Sequence, residues 1–283
     1  GLGEGLVFHD RERESFSVED TFGFEWPGRK KGMQVLGYKE PGPLTPRIDP
    51  TYVFDPEATA VCLLSLHLRD SVYMYGPTGS GKTSVWTQIA ARLNYNVMRV
   101  NFDGGITRAD LVGSYVVKGN EMTFLYGVLP IGMALPGTIT ILDELDTTGE
   151  EVSFVLQRPL EEDSALLILE KGEELIPLHP ENLIVATGNT QGFGDTSGLY
   201  SSGTRVMNFS LLNRFRMMVE RDYLLPHQEE QILMLAFAGK IEPLEAKAMV
   251  HVATAIRDAF KNNEVPFPIS TRDLRNWCEK YVI

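Results

Sequence analysis

The chain has 283 residues, 43% of them hydrophobic and 23% charged, enough for a sizeable core and two domains. Its 26 basic and 38 acidic side chains leave a net charge of −12, which argues against nucleic acid or an anionic membrane as the general partner. Two distant cysteines without a CxxC spacing read as reduced thiols of a cytoplasmic protein, and five scattered histidines predict no His-built metal site.

Residues 1–50 are rich in glycine, proline and charge, and "KEPGPLTPRIDP" (39–50) predicts an extended N-terminal arm or linker. No basic n-region followed by an apolar h-region opens the chain, so no secretory signal is expected. From residue 51 the pattern becomes globular. Asp55 and Pro56 predict the capped start of a helix. A strand over 71–75, a helix over 82–94 and a strand over 96–102 follow. Residues 112–127 read as a β-hairpin turning at Lys118–Asn120. Residues 122–142 carry no charge over a membrane-spanning length. Gly127, Pro130, Gly132, Pro136 and Gly137 interrupt them, so a short helix, a turn and a buried strand are expected instead of a membrane span. A strand over 137–146 ends in acids, a helix covers 150–162, and a second hairpin covers 165–180, turning near Lys171–Gly172. Strands over 182–189 and 214–223 complete an alternation that predicts an α/β domain over 51–223, a parallel sheet flanked by helices. The last sixty residues (224–283) read as a small all-α domain, with Leu244, Ala248, Val252, Ile256 and Phe260 as its core stripe.

Three segments carry chemistry. "GPTGSGKT" (76–83) lies between a strand and a helix and fits G-x-x-x-x-G-K-[ST]. Gly76, Gly79 and Gly81 let the backbone curl so that N–H groups along Gly76, Pro77, Thr78, Gly79, Ser80, Gly81, Lys82, Thr83 and Ser84 face phosphate, Pro77 supplying shape and no donor. Lys82 supplies charge at the β- and γ-phosphates of ATP, and Thr83 a hydroxyl for Mg²⁺. "TITILDELD" (138–146) delivers Asp143, a second Mg²⁺ candidate, and Glu144, a candidate general base for an attacking water. "LIVATGNT" (183–190) ends a strand at Asn189, whose neutral amide can bond the γ-phosphate or the water. No NKxD follows the acidic strand, which disfavours GTP.

Together these segments resemble the AAA+ ATPases: "GPTGSGKT" is similar to Walker A, "TILDE" to Walker B and Asn189 to sensor 1. The resemblance implies that Arg214 in "SLLNRFR" is an arginine finger, that Arg272 in "PISTRDL" is sensor 2 on a helical lid, and that the chain forms a ring, usually a hexamer. The two hairpins sit where the MoxR/chelatase clade carries its helix-2 insert and pre-sensor-1 hairpin, which engage the partner there. Within that clade, "YVFDPEAT", "GVLPIGMA", "LQRPLE" and the loop "GFGDTSGLY" (192–200) resemble the CobS-like small ATPase subunits of aerobic cobaltochelatases. That group implies a large chelatase subunit and a VWA/MIDAS-type subunit as partners. A stand-alone MoxR-type chaperone that activates another metalloenzyme is the alternative, and a nucleic-acid translocase a lesser one.

Overall fold

The computed structural model describes residues 5–28, 31–194 and 204–283. The stretch expected to be an extended arm is folded over much of its length. β1 (Arg13–Ser17) and β2 (Gln34–Tyr38) pair antiparallel, and α1 (Val18–Phe22) starts directly after β1. Ser17 caps α1 by accepting from the Asp20 N–H, and Gly23 ends it in the left-handed conformation. Val18, Phe22 and Tyr38 are buried in one core with Trp86, Ile89 and Tyr95. These anchors are too widely spaced to give a periodic signal, and the glycines, prolines and charges between them dominate the composition. Among the described residues, 5–12, 23–28, 31–33 and 39–50 keep the irregular backbone expected.

Beyond the arm, α2 (Pro56–Leu68) is capped by Asp55, whose carboxylate accepts from Ala58 N–H at 2.8 Å. β3 (Val72–Tyr75), α3 (Lys82–Arg92), β4 (Asn96–Asn101) and α4 (Arg108–Val112) follow. The first hairpin is β5 (Gly113–Lys118) with β6 (Glu121–Tyr126), Lys118 opposite Glu121. The uncharged run becomes the end of β6, helix α5 (Val128–Ala134) and β7 (Thr138–Asp143). Among the described residues no helix is long and apolar enough to cross a membrane. α6 (Glu150–Gln157) stops short of residue 162, passing into a 3-10 turn over Arg158–Leu160, because Pro159 cannot donate within a helix. The second hairpin is β8 (Ala165–Ile168) with β9 (Glu174–Pro177), and β10 (Leu183–Gly188), α7 (Phe209–Leu212) and β11 (Met217–Glu220) complete the α/β part.

Five of these strands form one parallel sheet in the order β11-β3-β10-β7-β4. β7 and β10 are buried along their whole length, so their apolar runs are continuous instead of alternating. Leu183 and Val185 face a core with Val72, Met74 and Trp86, while Ile184 and Ala186 face another with Leu129, Leu142 and Leu156. The parallel order brings the C-terminal ends of β3, β7 and β10 to one edge, where the three chemical segments lie.

The chain ends in α8 (Pro226–Ala236), α9 (Pro243–Lys261) and α10 (Thr271–Tyr281), which pack around their own core. The expected stripe on α9 is corrected. The helix buries Ala246, Met249, Val250, Ala253, Arg257 and Phe260, whereas Leu244 and Val252 are exposed. Steps of four residues overshoot a turn by about 40° each, so the run from 244 to 260 winds away from any single face.

Candidate active site

The phosphate loop leaves β3 at Gly76, whose N–H donates to the Gly188 carbonyl at the end of β10. Gly79 has φ +75°, and a Cβ there would lie 2.2 Å from Ser270 Cβ, so glycine is required both by backbone conformation and by the approach of α10. Gly81 starts α3, and no side chain caps it. The first N–H groups of α3 have no partner within the helix and are left to bind an anion. Lys82 is 7% exposed. Its ammonium donates to the carbonyls of Gly76 (2.7 Å) and Pro77 (2.9 Å) and to Asn189 Oδ1 (3.2 Å). Burial pulls its pKa down to about 8, against the attraction of Asp146, Asp143 and Glu144. Thr78 and Ser84 are exposed, Thr78 Oγ1 reaching Asn189 Oδ1 at 3.4 Å.

Asp143 is buried at the end of β7, and its Oδ1 accepts from Thr83 Oγ1 at 2.6 Å and from Thr187 Oγ1 at 2.5 Å. Its Oδ2 is bonded by Arg99 of β4, a residue that sequence reasoning missed. Arg99 is two residues before Asn101, which stands opposite Asp143 in the β4–β7 register, so the pairing is visible only once strand order is known. Glu144 follows with φ +57°, unusual for a residue with a side chain, and its N–H donates to Thr187 Oγ1 at 3.2 Å. Burial, followed by Asp143 and Asp146, raises its carboxyl above the ordinary range. Asp146 is fully buried and bonds the turn that carries Asn189.

The structure therefore brings Lys82, Thr83, Asp143, Glu144 and Asn189 together and leaves Arg214 apart. Arg214 donates to Glu161 Oε1 at 2.8 Å and to Ser210 Oγ at 2.6 Å. Arg272 is exposed in the first turn of α10, two residues beyond Ser270. Two further residues hold the loop from behind and carry no sequence signature. Buried Arg221 donates from Nε to the Ser80 carbonyl at 3.1 Å, and Tyr223 donates to the Thr78 carbonyl at 2.9 Å. The Tyr223 ring lies 4.1 Å from the guanidinium of Arg257, which pairs with buried Glu229 in the helical part. Of the loop Gly192–Tyr200, residues 195–200 lie outside the described residues.

The donor set fits a magnesium nucleotide. An uncapped helix N-terminus and a buried ammonium suit phosphate, and a hydroxyl beside a carboxylate oxygen suits a hard divalent cation.

Comparison with known proteins agrees with this geometry. The family model for the AAA domain of the dynein-related subfamily matches residues 71–206. The aerobic cobaltochelatase subunit CobS of Sinorhizobium sp is 34% identical over 276 residues, covering 94% of this chain and 80% of that protein. Protein NorQ of Paracoccus denitrificans is 28% identical over 201 residues, 71% of this chain and 69% of its own. The fold matches a mutant of RuvB from Thermotoga maritima with a TM-score of 0.52 at 17% identity, over 84% of this chain and 73% of that one. The chain belongs to the AAA+ ATPases, in the MoxR/chelatase group that includes CobS, and is an ATPase.

Proposed function

We propose that the chain is a ring-forming motor in which each ATP is held by one subunit and completed by the next. Lys82 and the loop N–H groups bind the β- and γ-phosphates, with Arg272 reaching the γ-phosphate from the lid. Thr83 and Asp143 would hold Mg²⁺, which would supply charge neutralisation at the phosphates. Glu144 takes the proton of the attacking water, a role suited by its raised pKa. Asn189 orients that water or the γ-phosphate. Arg214 stabilises the transition-state charge in trans.

One observation carries the reading. Lys82 is buried in the attractive field of Asp146, Asp143 and Glu144 and bonds Asn189, while Arg214 is turned away to Glu161 and Ser210. With its own Arg214 so held, the cation that joins Lys82 and Arg272 at the γ-phosphate is the Arg214 of a neighbouring copy. Mixing two inactive variants tests this. In a ring of Glu144→Gln and Arg214→Ala subunits, some interfaces pair an intact Glu144 with an intact Arg214. Partial recovery of ATP hydrolysis is expected in the mixture, with each variant alone binding ATP and turning over poorly. Hydrolysis that stays absent in the mixture, or normal hydrolysis by Arg214→Ala, refutes the trans finger.

Similarity to the cobaltochelatase subunit CobS over most of both chains supports a chelatase-like assembly, with a large subunit and a VWA/MIDAS-type subunit as partners in the cytoplasm. In it the motor drives the partner and does not bind the metal's acceptor. The hairpins form the partner-facing unit. They are tied together by Tyr126 donating to Glu174 (2.7 Å), and Arg108, at the start of α4, ties that helix to the second hairpin by donating to Glu170 (2.7 Å). Val117 and Met122, opposite each other on β5 and β6, are 74% and 69% exposed, an apolar tip at the end of a rigid unit. Similarity to NorQ favours a stand-alone MoxR-type activator as the second reading.

A further inference from the structure

We infer that Asp146 is a positioning residue for ATP hydrolysis, acting on the nucleotide through Asn189; the inference rests on the role proposed above for Asn189. Asp146 lies three residues past Asp143, in the 3-10 turn Leu145–Thr147 that follows β7. It is fully buried, an expensive place for a carboxylate unless its bonds perform a task. One oxygen, Oδ2, accepts three bonds: from the Asn189 N–H at 2.8 Å, the Thr190 N–H at 2.9 Å and the Thr190 hydroxyl at 3.1 Å. Two successive N–H groups converging on one oxygen fix the peptide planes on both sides of the Asn189 Cα. With the backbone held, the side chain has only its own two torsions left. The Asn189 amide oxygen then lies where Lys82 Nζ and Thr78 Oγ1 reach it.

The surroundings are shaped to this clamp. From the other side Tyr73 donates to the Thr190 carbonyl at 2.7 Å, so the turn is gripped between β3 and the end of β7. Gly188 makes room for both. A Cβ there would stand 2.0 Å from the Tyr73 hydroxyl and 3.1 Å from Asp146 Cγ. The Asp146 carbonyl also accepts from the Arg205 N–H at 2.7 Å, so one residue ties the ends of the segment that follows β10. Any movement of the turn after β7 is passed to Asn189. Asp146 therefore couples the strand tip bearing Asp143 and Glu144 to the strand tip bearing Asn189, and a rigid link of that kind sets the distance between the base and the amide.

The test is a double-mutant cycle on ATP turnover and on binding of a fluorescent ATP analogue with magnesium, using the full chain. Asp146→Asn keeps the shape and one acceptor but weakens the clamp. It should lower kcat at least about 10-fold, while KM and analogue affinity stay within about 3-fold of wild type. Asn189→Ala should be slow, and Asp146→Asn added to it should cost little more, because both act through one group. Thr190→Val removes one bond of the clamp without touching the carboxylate, and should give a smaller fall of the same kind, keeping the test decisive should Asp146→Asn fold poorly. Wild-type kcat in Asp146→Asn or Thr190→Val, losses that multiply in the double variant, or a loss confined to KM would overturn the inference. Wild-type turnover in Asn189→Ala would instead overturn the reading of Asn189 beneath it.

Discussion

Arg257→Met is the perturbation whose cost can be worked most directly. Arg257 and Glu229 have side chains 6% and 1% exposed. Arg257 donates to both Glu229 oxygens, at 2.7 and 2.8 Å, and from Nε to the Ile269 carbonyl at 2.6 Å. Methionine fills similar volume but leaves Glu229 buried with only the Thr271 hydroxyl, 2.6 Å away, as partner. Removing one member of a buried pair costs about 3–5 kcal/mol, because the surviving charge is stranded. With about 2–4 °C lost per kcal/mol in a chain of this size, the melting temperature should fall by about 6–20 °C.

The control is the double variant Glu229→Leu/Arg257→Met. It removes both charges, so most of the stability should return, less about 1–2 kcal/mol for the unpaired Ile269 carbonyl and Thr271 hydroxyl. Hydrogen exchange locates the effect: amides of α8–α10 should lose protection in the single variant while β7 and β10 keep theirs. Nucleotide affinity should fall as well, since Ile269 and Thr271 flank Ser270, the residue seated on Gly79. A single variant within about 1 kcal/mol of wild type, or a double variant no more stable than the single, would refute the assignment of this pair as the helical part's internal tie.

Three further outcomes are expected. Lys82 has a pKa of about 8 in the free protein and must be protonated to bind phosphate, so nucleotide affinity should fall as pH rises through 8. Between pH 7 and 9 the protonated fraction drops about 10-fold, and calorimetry in buffers of different ionisation enthalpy should record proton uptake on binding near pH 8.5, with no uptake arguing against Lys82 as the titrating group. Gly79→Ala combines a left-handed backbone with a methyl 2.2 Å from Ser270 Cβ. It should cost about 1–3 kcal/mol by denaturant titration and push α10 off the loop, weakening ATP binding more than it slows turnover of bound ATP. Val117→Ser/Met122→Ser should leave basal hydrolysis and melting temperature unchanged and abolish the response of the ATPase to a chelatase-type partner; a retained response would move the docking surface off this hairpin.

What could be read from the sequence was chemistry that is local in the chain. Walker-type glycines, a lysine at a helix start and acids at the end of an apolar run each announce themselves within ten residues. The N-terminal hairpin did not, because Tyr38 meets the core through Leu93 and Tyr95, more than fifty residues away. The α9 stripe failed for a different reason: spacing of four alone does not define a face, and Ala246, Met249, Ala253 and Arg257 include a charged residue that no hydrophobic pattern selects.

The site itself divides in the same way. Asp143 was legible as an acid at a strand tip, but how its two oxygens are shared was not. Thr83 and Thr187 use one oxygen and Arg99 the other, and that division follows from β4 and β10 lying on either side of β7. The carboxylate is already a bridge between three elements before any cation arrives. A divalent cation held by Thr83 and Asp143, as proposed, would require only that the two neutral hydroxyls rotate their hydrogens off that oxygen. The Arg99 contact is on the other oxygen, so the strand tip would not need to move to admit a cation. The soft, reversible bonds thus lie on the oxygen that would exchange with a cation, and the charged bond on the oxygen that would stay.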